Sequence, residues 1–231
     1  MADFFVDEAR DELEWFKKDW IKIIGVGKNG INALSYFKDV DKDNSFTALA
    51  VSDKNFIANS RAEILNFISG TDWCNFGTWI ILPADKISAT GLTNNEIIYQ
   101  VVDKITCIQS RNCVIGMDFT DVVTTLENQG RACIGFGESL DAENNSLAAV
   151  KNALKSPLFI EDIGKAKKCL LVFVGNTDSL SMLEANEADT FLNHELSQSE
   201  NIWDGTLFQV VSDDTANDGV TAFVLATKFE K

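Results

Sequence analysis

The chain has 231 residues, of which 45% are hydrophobic and 24% charged, with a formal net charge of -15. This is the composition of a globular protein long enough to bury a core. Without a cluster of Lys and Arg, so acidic a surface argues against nucleic acid and anionic membranes as partners, because phosphate binding needs concentrated positive charge.

In chain order, Ala2 to Trp20 reads as an amphipathic helix, with Phe5, Ala9, Leu13, Phe16 and Trp20 at helical spacing. This acid-rich start lacks the character of a signal or transit peptide. No apolar run reaches the ~18 residues of a membrane span. A cytoplasmic protein without a membrane span is therefore expected. Ile21 to Val26 reads as a buried strand. It feeds a loop carrying Gly25, Gly27 and Gly30, then a helix, INALSYF, and a second strand, FTALAVSD, ending at Asp53. Strand, glycine loop, helix and strand together open a doubly wound α/β sheet.

Arg61 to Ser69 looks helical, Trp79 to Leu82 is a strand ending at Pro83, and Asn94 to Gln109 is a long connecting helix. A short extended apolar run then leads to Asp118 and Asp121 at the start of another helix, which ends at Gly130. A strand follows at once. Further helices are expected over Asn145 to Lys155 and Ser181 to Leu196, and a strand over Cys169 to Val174. Thr206 to Ser212 and Val220 to Lys228 read as strands, expected to be antiparallel neighbours. Lys165, Lys167 and Lys168 read as a solvated basic turn before a strand. The whole is a parallel α/β front followed by an α+β back.

Cys74, Cys107, Cys113, Cys133 and Cys169 are widely spaced and form no CxxC pair, and His194 is the single histidine. Zinc and a disulfide framework both fit poorly, and free thiols in a reducing compartment are expected, with no metal. His194 has no Ser or Cys partner and receives no catalytic role.

Three groups offer chemistry. Glycines between a strand and a helix let an anion approach the helix N-terminus. Gly25, Gly27 and Gly30, with Asp53 at the ribose-acid position, read either as a nucleotide loop or as a turn kept for packing. Asp118 and Asp121 read either as carboxylates that polarise an attacking water or as a helix cap, with Asp118 at N-cap and Asp121 at N3. Asn95 and Glu96 offer hydrogen bonds to a purine edge, or are simply a helix start. Phe136 and Trp203 are candidate interface anchors.

These pieces together resemble the tubulin/FtsZ family. IKIIGVGKNGINAL is similar to its first strand and first nucleotide loop, including Asn32. FTALAVSD is similar to the second strand, with Ser52 and Asp53 kept. WIILPADKI is similar to a later strand and turn. Asn95 falls on the family's guanine-reading Asn. MDFTDV resembles the synergy loop, whose aspartates act on the GTP of the neighbouring subunit; Gly116 stands where Asn is usual. RACIGFGES, AVKNALKSPLF, CLLVFVGNTDSLSMLEANEADTFL and the last two strands follow the family's C-terminal domain in order.

One departure governs the functional expectation. Between Asp53 and Trp79 the family carries its phosphate-cradling loop, GGGTGTG; here the stretch reads KNFIANSRAEILNFISGTDWCNFG. A phosphate cradle needs many converging backbone N–H groups. The resemblance therefore implies an N-terminal helix (1–20), an abbreviated Rossmann-like nucleotide domain (21–110) with a sheet cut to three strands, and an α+β C-terminal domain (111–231).

It also implies a non-catalytic protein that caps or modulates FtsZ-type filaments through its synergy-loop face, or self-associates. Asp118 and Asp121 would then act in trans. Gly25, Gly27, Gly30, Asn32, Asp53 and Asn95 would be vestigial nucleotide residues. The alternative is a weak GTP- or GDP-binding protein or residual GTPase. A dinucleotide enzyme, suggested by the glycine loop plus Asp53, lacks an acid–base pair. An α/β scaffold for an unrelated partner remains as the bland reading.

Overall fold

The structure is a computed structural model. It describes residues 22–26, 47–51, 78–80, 86–87, 89–106, 113–126, 129–140, 143–176, 178–197, 201, 204–213 and 219–229. The helices expected over 2–20, 31–37 and 61–69, and Trp203, lie outside the described residues. The chain divides into two units, one of Met1–Phe76 with Gly91–Thr106, the other of Gly77–Thr90 with Cys107–Lys231.

In the first unit, β1 (Lys22–Val26) and β2 (Thr47–Val51) pair in parallel, Lys22 opposite Thr47 and Val26 opposite Val51. A parallel pair needs a long crossover, and the residues between them supply it. Helix α1 (Asn94–Thr106) belongs to the same unit. It starts with a capping box: Thr93 N donates to Glu96 Oε2 at 2.7 Å and Glu96 N donates to Thr93 Oγ1 at 3.3 Å. The bonds that Thr93 N and Thr93 Oγ1 donate to Glu96 Oε2 hold its carboxyl below its ordinary range. Ile97, Val101 and Ile105, spaced by four, are its buried stripe.

The second unit is built on a six-stranded sheet. In chain order its elements are β3 (Thr78–Ile80), β4 (Cys113–Ile115), α2 (Phe119–Leu126), β5 (Gly130–Ser139), α3 (Asn145–Leu154), β6 (Lys168–Gly175), α4 (Met182–Glu195), β7 (Gly205–Ser212) and β8 (Val220–Thr227). The strand order is β3-β5-β8-β6-β7-β4. β6 and β8 lie in the middle and are buried along nearly their whole length. Both faces of a central strand are covered, so they read as continuous apolar runs rather than alternating ones.

Alternate residues divide between the faces. Leu171 and Phe173 of β6 and Val224 of β8 face α3 and α4, where Ala149, Ala153, Ala185 and Ala188 are fully buried. Ile134, Leu170, Val172, Phe223 and Leu225 fill the opposite face and are equally buried. There Phe136 meets Phe223 with ring centroids 5.0 Å apart, which places Phe136 within the sheet's own packing. Cys133 and Cys169 are buried free thiols, both held in the neutral form by burial.

Two expectations are corrected. β7 and β8 are not neighbours, because β6 lies between them, parallel to β7 and antiparallel to β8. α4 joins β6 to β7 as a parallel crossover, and β8 then returns antiparallel into the slot between β6 and β5. β3 does not extend the β1–β2 sheet. It pairs in parallel with β5, Thr78 opposite Gly130 and Ile80 opposite Ala132, and covers that edge of β5.

On α4, Asp189 is half-buried, and desolvation raises its carboxyl to about 6 although Asn193 Nδ2 donates to it at 3.1 Å. Asn193 in turn accepts from Thr206 N at 2.8 Å, tying α4 to β7. Because the folded value lies above the unfolded 3.8, the native state binds the proton more tightly. This stabilisation is complete below the unfolded value and is lost as pH rises through about 6. Asp189→Asn is expected to stabilise the protein at pH ~7.5 by about 1–2 kcal/mol, discounted for partial exposure, and to lose that gain near pH ~4. Urea midpoints at the two pH values measure it; an equal gain at both would refute the assignment.

Candidate functional site

The site is built from the outer edge of the second unit's sheet. β4 is a three-residue edge strand, antiparallel to β7, with a register irregularity between Cys113 and Ile115. Gln209 Nε2 donates to Cys113 Sγ at 2.8 Å. The chain leaves the sheet at Gly116, buries Met117 and presents Asp118 to solvent at the start of α2.

Asp118 and Asp121 do form the predicted cap, and reciprocally. Asp121 N donates to Asp118 Oδ1 at 2.8 Å, and Asp118 N donates to Asp121 Oδ2 at 3.1 Å. This capping box satisfies two orphan donors and places both carboxylates at the positive end of the helix. Asp118 Oδ2 and Asp121 Oδ1 are not used in these bonds. Capping and an outward-facing chemical role are thus geometrically compatible.

The far end of α2 is anchored by three separate strands. Lys168 Nζ of β6 donates to Thr124 O at 3.0 Å, Thr227 Oγ1 of β8 donates to Thr125 O at 3.3 Å, and Thr78 Oγ1 of β3 donates to Leu126 O. The last carbonyls of a helix have no partner within it, and these side chains supply one. Val122, fully buried, fixes the middle. The helix that carries the two aspartates is therefore held at both ends and along its inner face.

Lys168 is the third correction. It is not part of a solvated turn: it is 7% exposed and is the first residue of β6. Burial pulls its ammonium below the usual lysine range, against an opposing pull from Asp204. No local pattern marks Lys168, Thr227 or Thr78 as anchors. Their partners lie 44, 102 and 48 residues away.

Of the nucleotide-loop candidates, Gly25 lies in β1 opposite Ala50. Gly27, Gly30, Asn32 and Asp53 lie outside the described residues. Asn95 is the second residue of α1, beside the Thr93–Glu96 box. Among the described residues no group of three His, Cys, Asp or Glu side chains is placed to hold a metal ion. None of the described helices is long and apolar enough to cross a membrane.

Comparison with known proteins agrees with this architecture. Residues 130–230, from β5 onward, match the C-terminal domain of the FtsZ family. Over 122 residues the chain is 34% identical to cell division protein FtsZ 2 of Thermococcus kodakarensis, an alignment covering 53% of this chain and 29% of that protein. The chain thus spans less than a third of that relative's length.

Among solved structures, a W319Y mutant of FtsZ from M. jannaschii superposes with a TM-score of 0.62 at 23% identity, covering 97% of this chain and 70% of that one. A TubZ-Bt subunit from a four-stranded filament superposes with a TM-score of 0.58 at 14% identity, covering 100% and 67%. The superpositions show the shared fold, and the family match runs from β5 through β8, after the capped aspartates. The region from β5 onward is thus similar to an FtsZ-family C-terminal domain, and the chain shares the fold of the FtsZ and TubZ structures.

Proposed function

We propose that this protein is a cytoskeletal relative of FtsZ that acts in cell division as a non-catalytic, cytoplasmic partner of FtsZ-type filaments. It docks its Asp118–Asp121 face onto the nucleotide-bearing face of a neighbouring subunit and so caps or modulates the filament. The observation that carries this reading is an asymmetry. The Asp118–Asp121 loop is braced at both ends of α2, while residues 54–77 contain no GGGTGTG-like run. Subunits that stack head to tail use two different faces, so a chain with one working face terminates growth.

Pelleting of FtsZ-type polymers with and without this protein tests the proposal. Asp→Asn changes keep a side-chain acceptor for the cap while removing the charge. Asp118→Asn/Asp121→Asn is therefore expected to leave melting within ~2 °C of the parent and to weaken the effect on polymer about tenfold or more. An undiminished effect of the double variant sinks the docking model.

The parallel β1–β2 pair with Gly25 beside its crossover favours a second reading, a weak GTP or GDP site using Gly25, Gly27, Gly30, Asn32, Asp53 and Asn95. Titration calorimetry with both nucleotides separates the two readings. Micromolar affinity would support the second.

A further inference from the structure

We propose that the end of the second unit where β5 and β6 finish and β8 begins is a docking surface for a cationic, amphipathic segment of another protein. Leu140 is 58% exposed, Met182 38% and Leu183 69%, and these are three of the five exposed large apolar side chains among the described residues. They come from two elements at the same end of the sheet, where Ser139 and Gly175 both lie opposite Val220. Leu140 directly follows β5, and Met182 and Leu183 open α4.

Gly219 meets both Leu140 and Ser179, three residues before Met182. Leu140 Cδ2 lies 2.4 Å from where a Gly219 Cβ would be, so the leucine covers that glycine, and Ser179 Oγ donates to Gly219 O at 3.1 Å. The starts of the two helices are tied together beside this patch. Asn144 Nδ2 donates to Glu187 Oε2 at 2.8 Å, and Asn145 N donates to Glu184 Oε2 at 3.2 Å. The apolar trio is therefore mounted on braced backbone, the condition under which an exposed patch acts as an anchor.

The charge around the trio names the occupant. Among the described residues at this end (139–140, 143–145, 175–176, 178–187, 212–213 and 219–220) there is no Lys or Arg, and Glu143, Asp178, Glu184, Glu187 and Asp213 are among them. The opposite end of the same sheet carries Arg131, Lys155, Lys165, Lys167, Lys168 and Lys228. The acidity of this end is thus local rather than the average of an acidic chain. A local negative field repels nucleic acid, anionic lipid and the same end of a second copy. A partner that buries Leu140 and Leu183 must bring apolar anchors, and one that gains from the field must bring Lys or Arg. An amphipathic basic helix does both. This surface is independent of the Asp118–Asp121 face and of its proposed role.

Fluorescence anisotropy with a labelled Leu/Lys amphipathic peptide, titrated with the full chain at ~0.15 M salt, tests the proposal. Low-micromolar binding is expected. It should be weakened at least ~10-fold by Leu140→Ser/Leu183→Ser and left within ~2-fold by Ile160→Ser, an equally conservative change at another exposed apolar site. A Ser/Lys peptide of the same charge should bind at least ~10-fold more weakly than the Leu/Lys peptide.

Equal binding of the two peptides would reduce the surface to charge alone and overturn the proposal. So would a double variant that binds like the parent while melting at the same temperature. Sedimentation equilibrium of the chain alone provides the last arm. A dimer dispersed by Leu140→Ser/Leu183→Ser would put a second copy on the patch and overturn the assignment of a basic partner.

Discussion

Gly137→Ala and Gly135→Ala are each expected to destabilise the protein by about 4 kcal/mol and to lower Tm by about 10 °C or more. A Cβ on Gly135 would fall 2.1 Å from Ala153 O, and one on Gly137 would fall 2.2 Å from Ala149 O and from Ala153 N. These are backbone atoms of α3, so no side-chain rotation relieves the clash. Two glycines two apart on one face of β5 meet Ala149 and Ala153, four apart on one face of α3, and the helix backbone lies directly on the strand.

Even one methyl group forces α3 away from β5 and opens the core shared with α4. Combining Gly137→Ala with Ala149→Gly should not restore stability, since the obstruction is main chain. Gly116→Ala is the matched control. Its Cβ would meet nothing nearer than Cys113 Cβ at 3.8 Å, and a Tm change under ~2 °C is expected. Thermal melting of the three single variants decides the matter, and a Gly137→Ala protein that melts with the parent would show that α3 is not held this closely.

The same glycines show what a sequence carries and what it does not. Strand GRACIGFGES is legible as a strand from its position and small apolar residues. Nothing in it announces that two of its glycines are contact points for helix residues 12 to 18 positions on. Periodicity placed α1, α3 and α4 to within a few residues because it is a local property, set by the 3.6-residue turn. Capping was legible for the same reason at Asp118 and Asp121, which are three apart; the Thr93–Glu96 box has the same spacing but was read only as a helix start at Asn95 and Glu96.

Pairing order was not legible. β7 and β8 look like a hairpin in sequence, yet the α4 crossover commits β7 to the far side of β6 before β8 is reached. The placement of β3 beside β5 depends on contacts between residues about 50 apart, which no window of sequence contains. The candidate site divides in the same way. Its two aspartates were visible, whereas the three side chains that brace their helix from behind were not, because each comes from a different strand. Lys168 was misread for a related reason. A lysine at a strand start is normally solvated, and only the arrival of α2 and the loop before β7 encloses this one.

That enclosure makes Lys228→Met the second large loss. Lys228 Nζ donates to both carboxylate oxygens of Asp204, at 2.8 and 2.9 Å. The two partners are not equivalent: the Asp204 side chain is 3% exposed and that of Lys228 38%. Removing the lysine strips a buried carboxylate of its bidentate partner, expected to cost about 3 kcal/mol. Removing the acid with Asp204→Asn leaves an ammonium that can still turn to water, expected to cost about 1 kcal/mol.

Backbone strain can be separated from charge at the same position. Lys228 has φ +57, a left-handed conformation that costs a non-glycine residue about 1 kcal/mol. Methionine keeps that strain and glycine removes it, so Lys228→Gly should be less destabilising than Lys228→Met by about that amount, although it truncates more side chain. The double variant Asp204→Asn/Lys228→Met should recover most of the single-variant loss, because it leaves no buried carboxylate stripped of its bidentate lysine. Urea denaturation of the four proteins gives the cycle. If the double variant is as unstable as Lys228→Met alone, the cost lies in lost packing at the ends of β6 and β8 rather than in the Asp204 charge.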